Sequence, residues 1–252
     1  MQTAEGVEVR GVSMEYQTQD GGLLALADTD ISIPAGGFVS VVGPSGCGKS
    51  TLLKLIMGVI RATSGEVLVQ GEPVRGPRED IGIVFQSARL LPWRNVLQNT
   101  LLPIELRRRP SRDDKDRARG LLEMVGLSGF EKSYPSGLSG GMQQRAAICR
   151  ALVSQPGLLL MDEPFGALDA LTREGMNVEL NKIWRQTGKT AVLITHSIEE
   201  AVFLSERVLV MSPRPGTIVD DVRVDLDPDR KLDDMASPEF KDAADRIRAH
   251  FR

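Results

Sequence analysis

Cysteine is scarce in this sequence, and secretory features are missing. Cys47 and Cys149 are too few for a disulfide framework, and neither has neighbours at metal-ligand spacing. The first ten residues alternate polar and apolar side chains and lack the basic and then apolar profile of a signal peptide. We therefore expect no signal peptide and a protein that folds in a reducing compartment.

Long apolar runs and an excess of positive charge are also absent. No run approaches the roughly 20 apolar residues that a membrane-spanning helix needs. The formal charge of −3 over 252 residues gives no general attraction to nucleic acid, so no nucleic-acid partner is expected. The apolar fraction of 41% is ordinary for a soluble globular protein. If the protein acts at a membrane, another chain must cross it.

The hydrophobic periodicity predicts an α/β protein that forms a single domain, residues 1–252. Antiparallel strands are expected in the first forty residues, around an Asp20-Gly21-Gly22 turn. Buried strands are predicted at 38–42, 67–69, 81–85, 158–161 and 191–194, and helices at 49–58, 112–125, 173–186 and after Ser139. The strands stop near residue 88, which indicates a helical insertion at about 88–150. Residues 225–252 are predicted to form an exposed acidic linker, 225–234, and a last helix.

A glycine-rich segment lies between a predicted strand and a predicted helix. It consists of Gly43, Pro44, Ser45, Gly46, Cys47, Gly48, Lys49, Ser50 and Thr51. Such glycines let backbone N–H groups surround phosphates at the positive end of the following helix. Lys49 is expected to reach the β- and γ-phosphates of ATP, and the Ser50 hydroxyl to hold Mg²⁺. The segment therefore predicts a phosphate-binding P-loop; a glycine-rich turn that matches by chance is the alternative.

Two carboxylates follow the apolar strand predicted at 158–161. Asp162 is expected to complete the Mg²⁺ site, on a strand that lies beside the P-loop. Glu163 is placed to polarise the attacking water as a general base. An acidic pair after a strand is by itself more typical of a solvated cap or loop. The P-loop favours the functional interpretation.

A third motif, Leu138-Ser139-Gly140-Gly141-Met142-Gln143-Gln144-Arg145, opens a predicted helix. Ser139 is suited to the N-cap, and Gly140 and Gly141 leave backbone amides open to an anion. The segment resembles the signature motif of ABC ATPases, in which Gln is frequent at the position of Met142. This resemblance implies a P-loop NTPase (ABC ATPase) core with an antiparallel β subdomain and a helical subdomain.

The resemblance spans nearly the whole chain and implies roles for further residues. Gln86 looks like the glutamine that touches Mg²⁺ and the attacking water. Asp169 looks like part of the D-loop at the nucleotide site, and His196 like the histidine that contacts the γ-phosphate. Tyr16 is placed like the aromatic residue that stacks on adenine, with a packing role as the alternative.

The resemblance also implies an assembly and a process. ABC subunits pair head to tail, so a homodimer, or a heterodimer with a close relative, is expected to hold each ATP between a P-loop and a signature motif. Segments 90–96, 164–169 and 212–216 are similar to those of importers of nitrate, sulfonates and taurine. Uptake of small anionic solutes is then implied. It would use an integral membrane permease and an external solute-binding protein, with this chain bound peripherally at the cytoplasmic face of the membrane.

The sequence leaves two alternatives open, one for the function and one for the segment around Trp93. A soluble ABC ATPase that acts in translation or DNA repair would use the same ATP site. The apolar stretch around Trp93, which follows Gln86, is expected to line a groove for the permease or to pack within its own helical subdomain.

Overall fold

The structure, a computed structural model, describes residues 5–19 and 21–251. The strands are β1 (Glu5–Thr18), β2 (Gly21–Pro34), β3 (Phe38–Val42), β4 (Ser64–Val69), β5 (Glu72–Pro73), β6 (Ile81–Val84), β7 (Leu158–Asp162), β8 (Thr190–Thr195), β9 (Arg207–Met211) and β10 (Ile218–Arg223). The helices are α1 (Lys49–Ile56), α2 (Val96–Glu105), α3 (Arg112–Met124), α4 (Gly140–Leu152), α5 (Ala170–Thr187), α6 (Ile198–Leu204) and α7 (Pro238–Ala249), with 3-10 helices at Pro135–Gly137 and Leu232–Ala236. This order of elements confirms the predicted α/β class.

The first sheet is antiparallel, as the sequence predicts. Its strand order is β2-β1-β4-β5, and β1 pairs antiparallel with both β2 and β4. Of the predicted turn between β1 and β2, Asp20 lies outside the described residues, and Gly21 and Gly22 begin β2.

The second sheet has the strand order β10-β9-β3-β8-β7-β6 and is parallel except for β10. Successive side chains of a strand point to opposite faces, so each buried strand contributes to two cores. In β7, Leu158 and Leu160 pack with α1 and the antiparallel sheet. Leu159 and Met161 pack on the opposite face with helices α4 to α7. The parallel sheet is therefore covered on both faces. The edge formed by the C-terminal ends of its parallel strands is not covered in this way, and loops extend from it.

Several elements differ from the sequence prediction. Helix α5 begins at Ala170 rather than at residue 173, because the Asp169 side chain accepts a hydrogen bond from the Thr172 backbone N–H and caps the helix there. The periodicity does not predict α2, α6, β9 or β10, three of which are seven residues long or shorter. In the part of the chain that the structure describes, no helix has the length and apolar character needed to cross a membrane.

The segment predicted as an exposed linker, 225–234, is anchored to the domain. Arg230 is 4% exposed. Its guanidinium donates hydrogen bonds to the backbone carbonyls of Ser205 (3.2 Å) and Asp227 (2.6 Å). The linker prediction is therefore wrong at this residue, because the long Arg side chain finds buried carbonyl acceptors that composition alone does not reveal.

The C-terminal helix α7 packs on its own domain and is fastened by an ionic cluster. Phe240, Ala243, Ala244 and Ile247 are buried against the helical core. Beside this apolar face of α7, Arg246 donates two hydrogen bonds to the Asp220 carboxylate of β10 (2.9 and 2.5 Å), and the His250 ring lies 2.9 Å from the same carboxylate. The Arg246 guanidinium is the main cause that lowers the pKa of Asp220 to about 2.

Asp220→Asn is expected to destabilise the protein at neutral pH by about 1 kcal/mol, since it removes a partly buried ion pair. The native pKa lies below the ordinary value of 3.8, so this stabilisation is present above about pH 4 and is lost as the pH falls toward 2. Urea unfolding at pH 7, 4 and 2.5 measures it. Asp242→Asn on the exposed side of α7 is the control, and an equal loss in both variants would contradict a specific role of Asp220.

Candidate functional site

The glycine-rich loop links β3 to α1, and its glycines are required by close backbone contacts. Gly46 and Gly48 have φ angles of 77° and 115°, which other residues rarely adopt. A Cβ atom on Gly48 would lie 2.7 Å from the Leu26 side chain and 2.8 Å from the Ala25 carbonyl oxygen. Any side chain at this position would push β2 away, so the loop conformation depends on glycine.

Lys49 folds back over this loop from the first turn of α1. Its side chain is buried, and the Nζ atom donates hydrogen bonds to the carbonyl oxygens of Gly43 (2.7 Å) and Pro44 (3.0 Å). A buried ammonium needs such partners. The structure thus holds a positive charge inside the loop at the N-terminus of a helix, which is an arrangement that favours phosphate.

The remaining loop residues differ in exposure. Cys47 is 1% exposed, and its buried thiol accepts a long contact of 3.9 Å from the Lys49 Nζ atom. Pro44, Gly48 and Thr51 are half-buried, and Ser45, Gly46 and Ser50 are exposed. The hydroxyl of Ser50 is therefore accessible.

A cleft of about 190 Å³ adjoins the loop. It is lined by Tyr16, Leu23, Ala25, Gly46, Gly48, Lys49, Ser50, Thr51 and Arg214. Tyr16 reaches it from β1, and its hydroxyl lies 3.4 Å from the Thr51 hydroxyl. The structure thus brings Tyr16 to the P-loop, where the sequence analysis expects an adenine-stacking residue.

Asp162 ends β7, but this strand is not the neighbour of β3. Strand β8 lies between them in the sheet. Asp162 nevertheless remains within electrostatic reach of the loop. Burial and the Glu163 carboxylate raise its pKa, and the charge of Lys49 acts in the opposite direction. Carboxyl ends of parallel strands share one edge of the sheet, which explains why the intervening strand does not separate these charges far.

Glu163 and His196 are in contact at this edge. The Glu163 Oε1 atom lies 3.1 Å from the His196 Nδ1 atom. Glu163 has a φ angle of 46°, and its backbone N–H donates to the Ile194 carbonyl (2.8 Å), which ties the turn after β7 to β8. Such left-handed backbone at a non-glycine residue is common at functional sites.

Gln86 follows β6 and is exposed over the same edge. A Cβ atom on Gly166 would lie 3.1 Å from the Gln86 Nε2 atom, so the glutamine amide lies against the loop that follows Glu163. The structure therefore brings Gln86, Glu163 and His196 together, with Asp162 and the P-loop on the same sheet edge.

The signature residues lie outside the cleft. Ser139 is the N-cap of α4 and accepts a hydrogen bond from the Met142 backbone N–H (3.3 Å). Gly140 is exposed, and Gly141 packs so closely that a Cβ atom would lie 3.0 Å from the Thr172 side chain. Asp169 is exposed and caps α5, and its hydrogen bonds from Thr172 lower its pKa. Ser139, Gly140 and Asp169 are thus exposed, whereas Gly141 is buried against α5.

Two residues at the site are missed by the sequence analysis. Arg214 donates two hydrogen bonds to the Gly46 carbonyl oxygen (3.1 and 3.0 Å). Glu200 is buried and accepts a hydrogen bond from Thr195, directly before His196, while burial raises the pKa of its carboxyl. No motif spacing identifies Arg214 or Glu200 as a site residue. The one available signal is that Ser197 and Glu200 have the separation of a helix-capping pair.

A P-loop with a buried lysine, placed at the carboxyl edge of a parallel sheet with two acidic residues, defines a P-loop nucleotide-binding protein. Residues 26–166 match the ABC transporter family, which is more than half of the chain. The chain belongs to this family, whose ATP-binding subunits hydrolyse ATP.

The relatives include several importer subunits. The chain is 50% identical over 209 residues to the taurine import ATP-binding protein TauB of Burkholderia pseudomallei, covering 82% of this chain and 80% of that protein. It is 44% identical over 212 residues to the aliphatic sulfonates import ATP-binding protein SsuB of Bacillus cereus, covering 84% and 83%. An uncharacterized ABC transporter ATP-binding protein of Methanocaldococcus jannaschii is 44% identical over 241 residues, covering 96% and 89%.

A solved structure has the same fold. It is a dimeric post-hydrolysis state of the ATP-binding cassette MJ0796 bound to ADP and Pi, 34% identical, with a TM-score of 0.74 over 86% of this chain and 98% of that chain. The predicted ABC ATPase fold is thereby confirmed.

Proposed function

We propose that this chain is the ATP-hydrolysing subunit of an importer for small anionic solutes such as taurine, aliphatic sulfonates or nitrate. The observation that carries the proposal is the placement of the Glu163–His196 pair on the same sheet edge as the P-loop. A subunit that only binds the nucleotide would not need a carboxylate and a histidine in contact at this edge. The relatives named for taurine and sulfonate import support the solute class.

The residues of this edge suit Mg²⁺ as well as ATP. In the described residues no group of three or more His, Cys, Asp or Glu side chains could hold a metal ion by itself. Mg²⁺ commonly binds through one or two protein ligands together with substrate phosphates, and it would neutralise charge on the phosphate oxygens. Ser50, Gln86 and Asp162 would hold it. The raised pKa of Asp162, which reflects burial and a second carboxylate, fits a position where a cation relieves repulsion.

The chemical step is assigned to the chain's own side chains. Glu163 would accept a proton from the attacking water as general base. His196 contacts the Glu163 carboxylate, so it would orient that carboxylate and would also contact the γ-phosphate. Lys49 would bind the β- and γ-phosphates. Tyr16 would stack on the adenine. This division separates nucleotide binding at the P-loop from proton transfer at Glu163.

A second copy, or a close relative, would complete the site. Ser139, Gly140 and Asp169 are exposed outside the cleft of their own chain, and the neighbouring Gly141 is buried. In a head-to-tail pair these exposed residues would meet the ATP held by the partner. Leu171, which follows the D-loop, is 81% exposed, which suits a surface that is covered only in the pair. ATP would then favour the closed dimer because it contacts both halves.

A membrane permease is the proposed partner at the helical segment. Residues 1–252 would form one domain, with about 88–150 as its helical subdomain. Trp93 is 71% exposed at the start of this segment, while Leu90 nearby packs against the core. Exposure of a large aromatic side chain favours a partner contact over packing within the subdomain. The chain would lie peripherally at the cytoplasmic face of the membrane. A solute-binding protein would deliver the solute to the permease from the opposite side.

Affinity capture of the full-length chain from gently solubilised native membranes tests this proposal. We expect a multi-spanning permease in the captured fraction, identified by mass spectrometry. Trp93→Ala should reduce its recovery about tenfold or more, as loss of an interface aromatic does. Tyr134→Ala, at another exposed aromatic residue, is the control. Recovery of ribosomes or repair proteins without a permease would instead favour the soluble ABC ATPase.

A further inference from the structure

The loop between β9 and β10, residues 212–217, lies between β2 and the P-loop. Gly216 donates to the Ala25 carbonyl and accepts from the Ala27 N–H, each at 3.0 Å. A Cβ atom on Gly216 would lie 2.1 Å from the Cys47 carbonyl oxygen, so only glycine fits there. The Ser212 Oγ atom closes the loop, since the carbonyl oxygens of Pro213 (3.0 Å) and Pro215 (3.2 Å) are both within reach of its single O–H donor. The loop is therefore held by backbone contacts at the rim of the cleft.

This loop places the Arg214 side chain directly on the P-loop. Its Nε and Nη2 atoms both donate to the carbonyl oxygen of Gly46, at 3.1 and 3.0 Å. The guanidinium has five N–H donors, so three remain available. Within residues 5–19 and 21–251, no carboxylate lies within 4.0 Å of these nitrogens to form an ion pair. Arg214 thus brings a cation without an acidic partner to the cleft.

Arg214 is positioned at the nucleoside side of the loop. It lines the same cleft as Tyr16, Leu23 and Ala25, which come from β1 and β2, and neither Asp162 nor Glu163 lines this cleft. Its contact with Gly46 joins it to the loop proposed to surround the phosphates. A planar guanidinium can donate to ribose and ring acceptors and can lie against an aromatic base.

We propose that Arg214 is a nucleotide-contacting residue that binds the base-and-ribose half of a nucleoside triphosphate while it fastens the tip of the P-loop through Gly46. This inference rests on the proposed ATP site and adds a residue to it. Because neither Glu163 nor His196 lines the cleft that holds Arg214, this arginine contributes to binding and little to proton transfer. Arg214→Ala is therefore expected to raise the KM for ATP and to leave kcat nearly constant.

The test compares Arg214→Ala, Arg214→Lys and the control Arg223→Ala, an exposed arginine of β10 outside the cleft. Binding of ATP and of inorganic tripolyphosphate is measured by calorimetry on the full chain. Arg214→Ala should weaken ATP binding about tenfold and tripolyphosphate binding less than about twofold. Arg214→Lys should recover only part of the ATP affinity, since it keeps the charge without the planar fork. Arg223→Ala should match the wild type.

Two results would overturn the inference. Unchanged ATP affinity in Arg214→Ala would remove the contact, and equal losses for ATP and tripolyphosphate would reduce Arg214 to a support of the loop. A thermal unfolding curve for each variant separates these results from misfolding. If the wild type itself binds no ATP, the proposed function fails, whereas loss of the Arg214 effect with normal wild-type binding removes this inference alone.

Discussion

Glu163→Gln is expected to lower ATP turnover by about 100-fold or more while ATP binding is retained. Glutamine keeps the size of the side chain but cannot accept a proton from water at neutral pH. Glu163 contacts His196 at 3.1 Å, and a glutamine amide at this position can still form a hydrogen bond with the histidine ring. Phosphate release at saturating ATP measures the turnover, and calorimetry measures the binding.

The same variant tests the assembly. If hydrolysis opens the pair, then ATP that binds without being hydrolysed should hold two copies together, and size-exclusion chromatography with ATP and Mg²⁺ should show a dimer. Glu199→Gln is the matched control, since Glu199 is exposed near His196 and pairs with Arg248. Wild-type turnover in Glu163→Gln would remove Glu163 as the base. A monomer that retains ATP would leave the base assignment intact and contradict the composite site.

The sequence predicts the parts of the fold that depend on local chemistry. The P-loop is an example, because the left-handed Gly46 and Gly48 are needed by the loop itself. Helix α2 is a missed case that had a local signal: Asn95 and Gln98 form a reciprocal capping box, with bonds of 2.8 and 3.0 Å. Strand β9 is five residues long and pairs with the distant strand β3, which periodicity in a short window does not report. Strand β10 and helix α6 have six and seven residues, which is too few for a clear period.

The same contrast between local chemistry and distant contacts holds for the candidate site. Ordered motifs predict candidate residues for the site, but they do not predict the contacts between those residues. The sequence places Glu163 and His196 thirty-three positions apart, and only the pairing of β7 with β8 brings their side chains together. The strand order β3-β8-β7 also could not be read from the chain, since connections between parallel strands skip neighbours freely. Arg214 lies in the segment 212–216 that resembles importer subunits, but its role could not be predicted because its partner is a backbone carbonyl, which every residue possesses.

Lys49→Ala is expected to weaken ATP binding about 10- to 100-fold, the effect of removing a hydrogen bond from a charged donor to phosphate. In the structure the ammonium also satisfies the carbonyls of Gly43 and Pro44, so thermal unfolding must first establish that the variant folds. Lys54→Ala, which removes an exposed charge from the same helix, should bind ATP normally. Unchanged affinity in folded Lys49→Ala would contradict the P-loop assignment.

The two variants together separate binding from chemistry. Lys49 lies under the phosphate loop and Glu163 on the edge that carries His196, so the same calorimetric titration should lose its signal in Lys49→Ala and keep it in Glu163→Gln. Both variants should hydrolyse ATP poorly, but excess ATP should restore part of the turnover only in Lys49→Ala if its defect lies in binding. A Lys49→Ala enzyme that stays inactive at any ATP concentration, despite binding ATP, would move the lysine from ground-state binding to stabilisation of the transition state.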